Sequence, residues 1–239
     1  MYNIFFGTMY CGETNFSNCK KMINMQKGIN FEHYIIENLG EKEAHENLFS
    51  KWNEVKNNFD LFIKVDADTV LISDTIAKEI ADLMYSENDI TGMQCKIKDY
   101  FTDDLIAGLN AFKPSVIFKT SSDKLYCDRV DTNHKKVIKG SNMPKGFEPA
   151  AYHCYHSSKK QAFHYGLHRM LKNQTDVILK VKNAWNKNKD DIRLYALAGA
   201  IEAVNFKDNT NFDYNDKKFI QYFQSVEKNI DEYRKRLEQ

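Results

Sequence analysis

Apolar and polar positions alternate in blocks along the first third of the chain. Tyr2–Gly7 is a short apolar run with β propensity, and Phe31–Ile36 and Leu61–Val65 repeat the pattern. Between them, Thr14–Lys27 sets Phe16, Cys19, Met22, Ile23 and Gln26 near helical spacing. Glu41–Asn58 puts Ala44, Leu48, Trp52 and Val55 on one helical face. Ser73–Tyr85 reads as a third helix, with Ser73 or Asp74 as its N-cap. Strand and helix in alternation predict parallel strands joined by right-handed crossovers, hence a mostly parallel α/β sheet flanked by helices. Further on, Asp89–Ile97 reads as a strand, Asp103–Ala111 as a short helix and Ser115–Lys119 as a strand. Residues 121–149 are rich in Asp, Asn, Lys and Gly and carry two prolines, and read as a long loop of the kind that is usually functional. Ala150–His156 is a strand that ends it. From Lys159 the pattern is helical, over Gln161–Lys172, Thr175–Asn186, Asp191–Val204 and Asp216–Leu237. The expected division is therefore a core over 1–160 and an all-helical region over 161–239.

The 239 residues suffice to bury a sizeable core. Lys and Arg total 34 against 33 Asp and Glu, a balance that argues against a generally cationic nucleic-acid binder. The five cysteines, Cys11, Cys19, Cys95, Cys127 and Cys154, are odd in number and without CxxC spacing, which fits reduced thiols in a cytoplasmic protein. The opening residues lack a basic n-region, and no run approaches the roughly 20 apolar residues of a membrane span. Any membrane association is expected to be peripheral.

The sharpest local feature is Leu61-Phe-Ile-Lys-Val-Asp66-Ala-Asp68-Thr-Val-Leu. An apolar strand ends in two carboxylates separated by one residue, so both lie on one side. Like charges held together repel unless something positive sits between them, and a hard divalent cation such as Mg²⁺ or Mn²⁺ suits such ligands. The bland alternative is a turn in which Asp68 caps and Asp66 is solvated. The position favours chemistry, because ligands of α/β sheets bind outside the carboxyl ends of strands.

This segment resembles the DxD motif of GT-A-fold glycosyltransferases, and residues 1–165 loosely resemble that family's family-2 branch. The resemblance implies a Rossmann-like, mostly parallel core that transfers a sugar from a nucleotide-sugar donor, UDP-linked by preference, to a hydroxyl of a glycan, lipid-linked or protein acceptor. It implies that Asp66 and Asp68 hold Mn²⁺ or Mg²⁺ on the donor diphosphate, with His153 as a further ligand and His156 as second choice. An imidazole ligand shifts the preference modestly toward Mn²⁺. The loop after the first strand would hold base and ribose, giving Thr8, Tyr10 and Glu13 as donor contacts. Glu37, at the end of the second strand, would bond the base; equally, it is a surface carboxylate. Lys64 and Asp66 complete the donor set, and Gln26 resembles the glutamine that closes the family's first helix. Gly108–Phe118 resembles the stretch beside the donor sugar. The base that deprotonates the acceptor in an inverting reaction is Asp104, Asp103 or Glu148, and retention stays open.

Other readings remain in view. Asp66, Asp68, Val70 and Leu71 also resemble the first motif of haloacid-dehalogenase-like phosphatases, in which Asp66 would be the nucleophile. That motif closes the first strand of its domain, whereas two strands and two helices precede it here. A non-catalytic nucleotide- or glycan-binding module is the third reading. His164 and His168 have i, i+4 spacing but lack the following Glu of HExxH. With Gln161, Arg169 and Lys172 they form a polar helix face, suited to an anion or to solvent. The absence of GxGxxG, Walker A and GxSxG sequences argues against dinucleotide enzymes, P-loop enzymes and α/β-hydrolases. The aromatic stripe Phe219, Tyr222, Phe223, Val226, Ile230 and Tyr233 serves either packing on the chain's own core or a homodimer.

Overall fold

A computed structural model describes residues 1–118, 126–127, 147–206 and 213–239, and the backbone of 136–139. Most of 121–149, expected as a long loop, lies outside the described residues, and the backbone of 136–139 within it is a strand. Two units emerge. One takes Met1–Asp99 and the described residues from Asp104 to Tyr155; the other takes Tyr100–Asp103 and those from His156 to Gln239.

The first unit is built on β1 (Tyr2–Tyr10), α1 (Phe16–Asn24), β2 (Ile29–Glu37), α2 (Glu41–Val55), β3 (Leu61–Lys64), β4 (Thr69–Leu71), α3 (Ile76–Tyr85), β5 (Ile90–Asp99), β6 (Asp104–Phe112), β7 (Lys136–Lys139) and β8 (Ala151–His153). β1 pairs in parallel with β2 and β3. Its apolar run is continuous because both faces are covered. Ile4 and Phe6 face a core shared with Cys19 and Ile23 of α1 and with Ile76, Ile80 and Met84 of α3. Phe5 faces the other way, into a core with Leu48 and Trp52 of α2 and Phe62 of β3. At Gly7 a side chain would meet Leu48 and Phe62, which explains a glycine inside this strand.

The sheet is mixed and strongly curled, and the expected mostly parallel Rossmann-like arrangement is corrected on this point. Seven strands run in the order β2-β1-β3-β6-β5-β8-β4, and β7 pairs with β5 off that path. β6 is antiparallel to both β3 and β5. Asp103–Ala111, expected as a helix, is mostly this strand. A four-residue connection, Tyr100–Asp103, joins β5 to β6, and so short a link demands antiparallel neighbours. Asp103 takes the left-handed turn conformation at φ 53°. The strand expected over Ser115–Lys119 reduces to a bridge at Phe118 among its described residues.

The N-terminus of α3 shows how the site edge is tied. Thr75 is its N-cap and makes no side-chain cap bond, so neither Ser73 nor Asp74 has the expected role. Gln26, beyond the end of α1 and buried, accepts from Ala77 N at 3.0 Å. Its amide donates to Ser73 O at 2.7 Å and Met22 O at 3.1 Å. One side chain thus satisfies an orphan N–H of the first helical turn from another element. Gln26→Ala is expected to lower unfolding free energy by about 2 kcal/mol, because buried partners lose their bonds. Urea unfolding checks it.

The second unit holds α4 (Lys159–Leu171), α5 (Thr175–Asn188), α6 (Asp191–Glu202), α7 (Lys217–Lys228) and α8 (Ile230–Glu238). Ser158 and Gln161 form a reciprocal capping box on α4. α6 is buried continuously from Arg193 to Ala200, as its apolar run from Leu194 onward requires. Buried Arg193 bonds Phe101 O at 3.0 Å and Tyr100 O, and its guanidinium lies over the Tyr100 ring at 4.2 Å. The expected single helix over Asp216–Leu237 is two, divided at Asn229, whose side chain bonds Ser225 O at 2.9 Å and so competes with the helix backbone. Phe219 and Phe223 pack on Phe163 at 5.6 and 5.9 Å between ring centroids. Among the described residues no helix is long and apolar enough to cross a membrane.

Candidate functional site

β1, β2 and β3 are parallel, so their carboxyl ends share one edge of the sheet. The chain lays β2 on one side of β1 and β3 on the other, which makes this edge a topological switch point where α/β sheets bind ligands. Glu13 follows the end of β1, Glu37 closes β2, and Asp66 and Asp68 follow β3.

The two carboxylates of the acidic pair have different partners. The Lys64 ammonium, nearly buried, bonds Asp66 Oδ1 at 2.6 Å. Desolvation pushes the Asp66 carboxyl up, but Lys64, by charge and hydrogen bond, outweighs it, and His153 and His45 add to the effect. The net result is a carboxyl below its ordinary range. Asp68 faces β8. The antiparallel register sets Thr69 opposite His153, and His153 Nε2 lies 3.6 Å from Asp68 Oδ1. The other ring nitrogen, Nδ1, lies 2.7 Å from Asp99 Oδ1, and Asp99 is fully buried. The next residue, Cys154, donates through its thiol to Asp68 Oδ2 at 3.1 Å and through its backbone N–H to Asp68 O at 3.0 Å.

Glu13 is folded back by Gly12, whose φ of 104° needs a glycine. Its Oε2 accepts from Cys11 N at 2.7 Å. Burial raises its pKa to about 7, backbone bonds oppose this, and the charges of Asp68 and Asp66 add to the rise. Folding therefore favours the protonated carboxyl. Its contribution is full below the ordinary 4.5 and is lost as pH rises to about 7. Against wild type, Glu13→Gln is expected to gain about 1–3 kcal/mol across this window and stay level beyond it. Thermal unfolding at successive pH values, without divalent metal, measures the difference.

The other expected residues sit on several elements. Thr8 is fully buried, its hydroxyl 3.0 Å from His33 Nε2. Burial and Lys20 lower the His33 pKa to about 4. Tyr10 stacks on Phe16 at 4.2 Å and stands in register with exposed Glu37. Asp103 and Asp104 are exposed at the β5–β6 turn, with Asp104 opposite Asp99. Glu148 pairs with Lys96 at 3.0 Å. His156 is exposed at φ 63°. On α4, Gln161 is buried in the capping box, and Arg169 lies over Tyr165 and bonds Gln174 at 3.0 Å. His168 is pushed well below its ordinary pKa by burial, so that helix face carries less charge than its sequence suggests.

Asp99 and Cys154 were not singled out as site residues from the sequence. Asp99 has one signal, an acid ending an alternating strand. Cys154 has none, since neighbouring strand residues point to opposite faces. No protein-family model matches the chain, and no curated protein matches it.

Proposed function

We propose that this chain is a metal-dependent glycosyltransferase of GT-A type, which takes its sugar from a nucleotide-sugar, UDP-linked by preference. The observation that carries the reading is the Asp68–His153–Asp99 chain at the carboxyl end of β3. A carboxylate and an imidazole converge, and a buried acid fixes the imidazole from behind, the usual support of a metal-bound histidine. The mixed sheet is compatible with this reading, because the switch point needs only the parallel trio β2-β1-β3.

Asp68 and His153 would hold the cation, with Asp66 beside them. A divalent cation there supplies neutralisation of charge on a departing diphosphate. Lys64 keeps Asp66 ionised and oriented. Glu13, carrying its proton below about pH 7, offers an O–H donor to the ribose or base. Glu37 stands at the same sheet edge for a base N–H. The base for the acceptor hydroxyl is drawn from Asp104, Asp103 and Glu148.

Thermal-shift titration with UDP, GDP and CMP, each with and without Mn²⁺ or Mg²⁺, tests the reading. Metal-dependent stabilisation by one nucleotide, lost in Asp68→Ala, is the expected result and names the donor class. No response to any nucleotide would sink it and turn attention to phosphoryl transfer to Asp66.

A further inference from the structure

The cation seat differs from the one the acidic pair alone suggests. We propose that Asp68, His153 and Cys154 form a three-ligand oxygen, nitrogen and sulfur site that selects a zinc-like cation over Mg²⁺, with Asp66 outside it and Asp99 as a positioning residue. The proposal shares Asp68 and His153 with the transferase reading but does not depend on a nucleotide-sugar.

Three observations carry it. The first is the donor triangle. Cys154 Sγ lies 3.3 Å from His153 Nε2 and 3.1 Å from Asp68 Oδ2, and His153 Nε2 lies 3.6 Å from Asp68 Oδ1. A tetrahedral Zn²⁺ with its usual bonds to sulfur, nitrogen and oxygen sets its ligand atoms roughly 3.4–3.6 Å apart. The sulfur faces one oxygen of Asp68 and the imidazole the other, and the three ligand atoms lie within 4.8 Å of one another, so a small opening of the cluster would seat the ion.

The second is the backbone. In a regular strand His153 and Cys154 would point to opposite faces. Cys154 takes φ 59°, a left-handed conformation costly for a residue with a Cβ. That bend turns its thiol toward the side that His153 Nε2 occupies, and both meet Asp68. Asp68 O accepts the Cys154 N–H at 3.0 Å, which locks the bend in place. Strain of this kind collects at functional sites.

The third is the support. Asp99, fully buried, holds His153 Nδ1 at 2.7 Å, which orients the ring so that Nε2 faces Asp68 and Cys154. The histidine and the cysteine are themselves buried. Asp66 is held by Lys64 at 2.6 Å, which separates its role from the seat.

The donor set decides the ion. Thiolate and imidazole suit Zn²⁺ and Co²⁺, whereas Mg²⁺ demands octahedral oxygen ligands. Three protein ligands leave a fourth position for water or substrate oxygen, the pattern of catalytic zinc. Binding removes the Cys154 thiol proton, which goes to solvent as the sulfur–metal bond forms.

The test uses the full chain, stripped with chelator and titrated with Co²⁺ alone. One equivalent should bind with a thiolate-to-cobalt charge-transfer band, and Zn²⁺ but not Mg²⁺ should displace it. Cys154→Ser should abolish the band, Cys11→Ser should keep it, and Asp99→Asn should weaken Co²⁺ binding about 10–100-fold. With wild-type protein loaded with Zn²⁺, X-ray absorption at the zinc edge should show one sulfur about 2.3 Å from the ion, so the proposal does not hang on a variant that folds. A missing band, a band that survives Cys154→Ser, displacement by Mg²⁺, or a zinc shell without sulfur would each overturn it. A cobalt band without any nucleotide response keeps this site and sinks the transferase. A nucleotide response with Mn²⁺ that ignores Cys154→Ser does the reverse.

Discussion

Gly199→Ala is expected to unfold much of the C-terminal helical unit, and Gly166→Ala to do the same. A Cβ at Gly199 would fall on the carbonyl oxygen of Phe163, and one at Gly166 on the carbonyl oxygen of Ala196. Each glycine thus lets the backbone of one helix rest against the backbone of the other, so α4 and α6 touch without side chains between them. The obstructing atoms are backbone and cannot rotate aside. Relief requires the helices to part, which loosens the packing around Phe163, Leu167 and Leu194, all buried. A loss of at least about 3 kcal/mol follows, the upper range for an overpacked core. In a unit of this size that lowers the melting temperature by about 4–8 °C per kcal/mol. Circular dichroism during thermal unfolding measures it. Leu179→Ala in the same unit is the control, since Leu179 is 59% exposed on α5 and should change stability by under about 0.5 kcal/mol.

Legibility in the sequence followed how local each cause is. β1 and β3 could be read because both faces are buried, which leaves unbroken apolar runs. β6 could not. Its Leu105, Ile106, Leu109 and Phe112 fall at i, i+1, i+4 and i+7, a helical spacing, and the strand exists because β3 and β5 flank it. Intrinsic propensity yields to such pairing. Gly108 was the available hint, because a side chain there would run into Ile97 across the hairpin. At the site, the acidic pair was legible from the abrupt end of an apolar run. The Lys64–Asp66 bond spans two residues on one strand side and follows from period two. His153 came from family resemblance, and its contact with Asp68 depends on a register between residues far apart in sequence. Cys154 depends on one backbone dihedral, which no pattern of residue types encodes.

Asp68→Asn is expected to remove function while sparing the fold. Asp68 is where His153, Cys154 and the strand backbone meet. Asparagine keeps the shape and one acceptor but lacks the charge a divalent cation requires, so metal affinity should fall by at least about 10²-fold, beyond what loss of an outer partner costs. Any metal-dependent nucleotide binding and turnover should fall with it. Stability without metal should move the other way or stay level. Glu13, Asp66 and Asp68 place three acids near one another; burial raises the Glu13 pKa most, and the charges of Asp68 and Asp66 add to it. Removing one charge relieves part of that repulsion, and the Glu13 pKa should drop slightly while burial keeps it raised. The stability lost between about pH 4.5 and 7 through Glu13 should shrink in consequence. Metal-free unfolding measured beside isothermal titration with the cation separates the two effects. A variant that binds metal as wild type does would remove Asp68 from the seat, and one that unfolds without metal would make its role structural. A variant that folds as well or better and no longer binds metal marks a site whose acidic charges are held together for a ligand, at a cost to the unliganded protein.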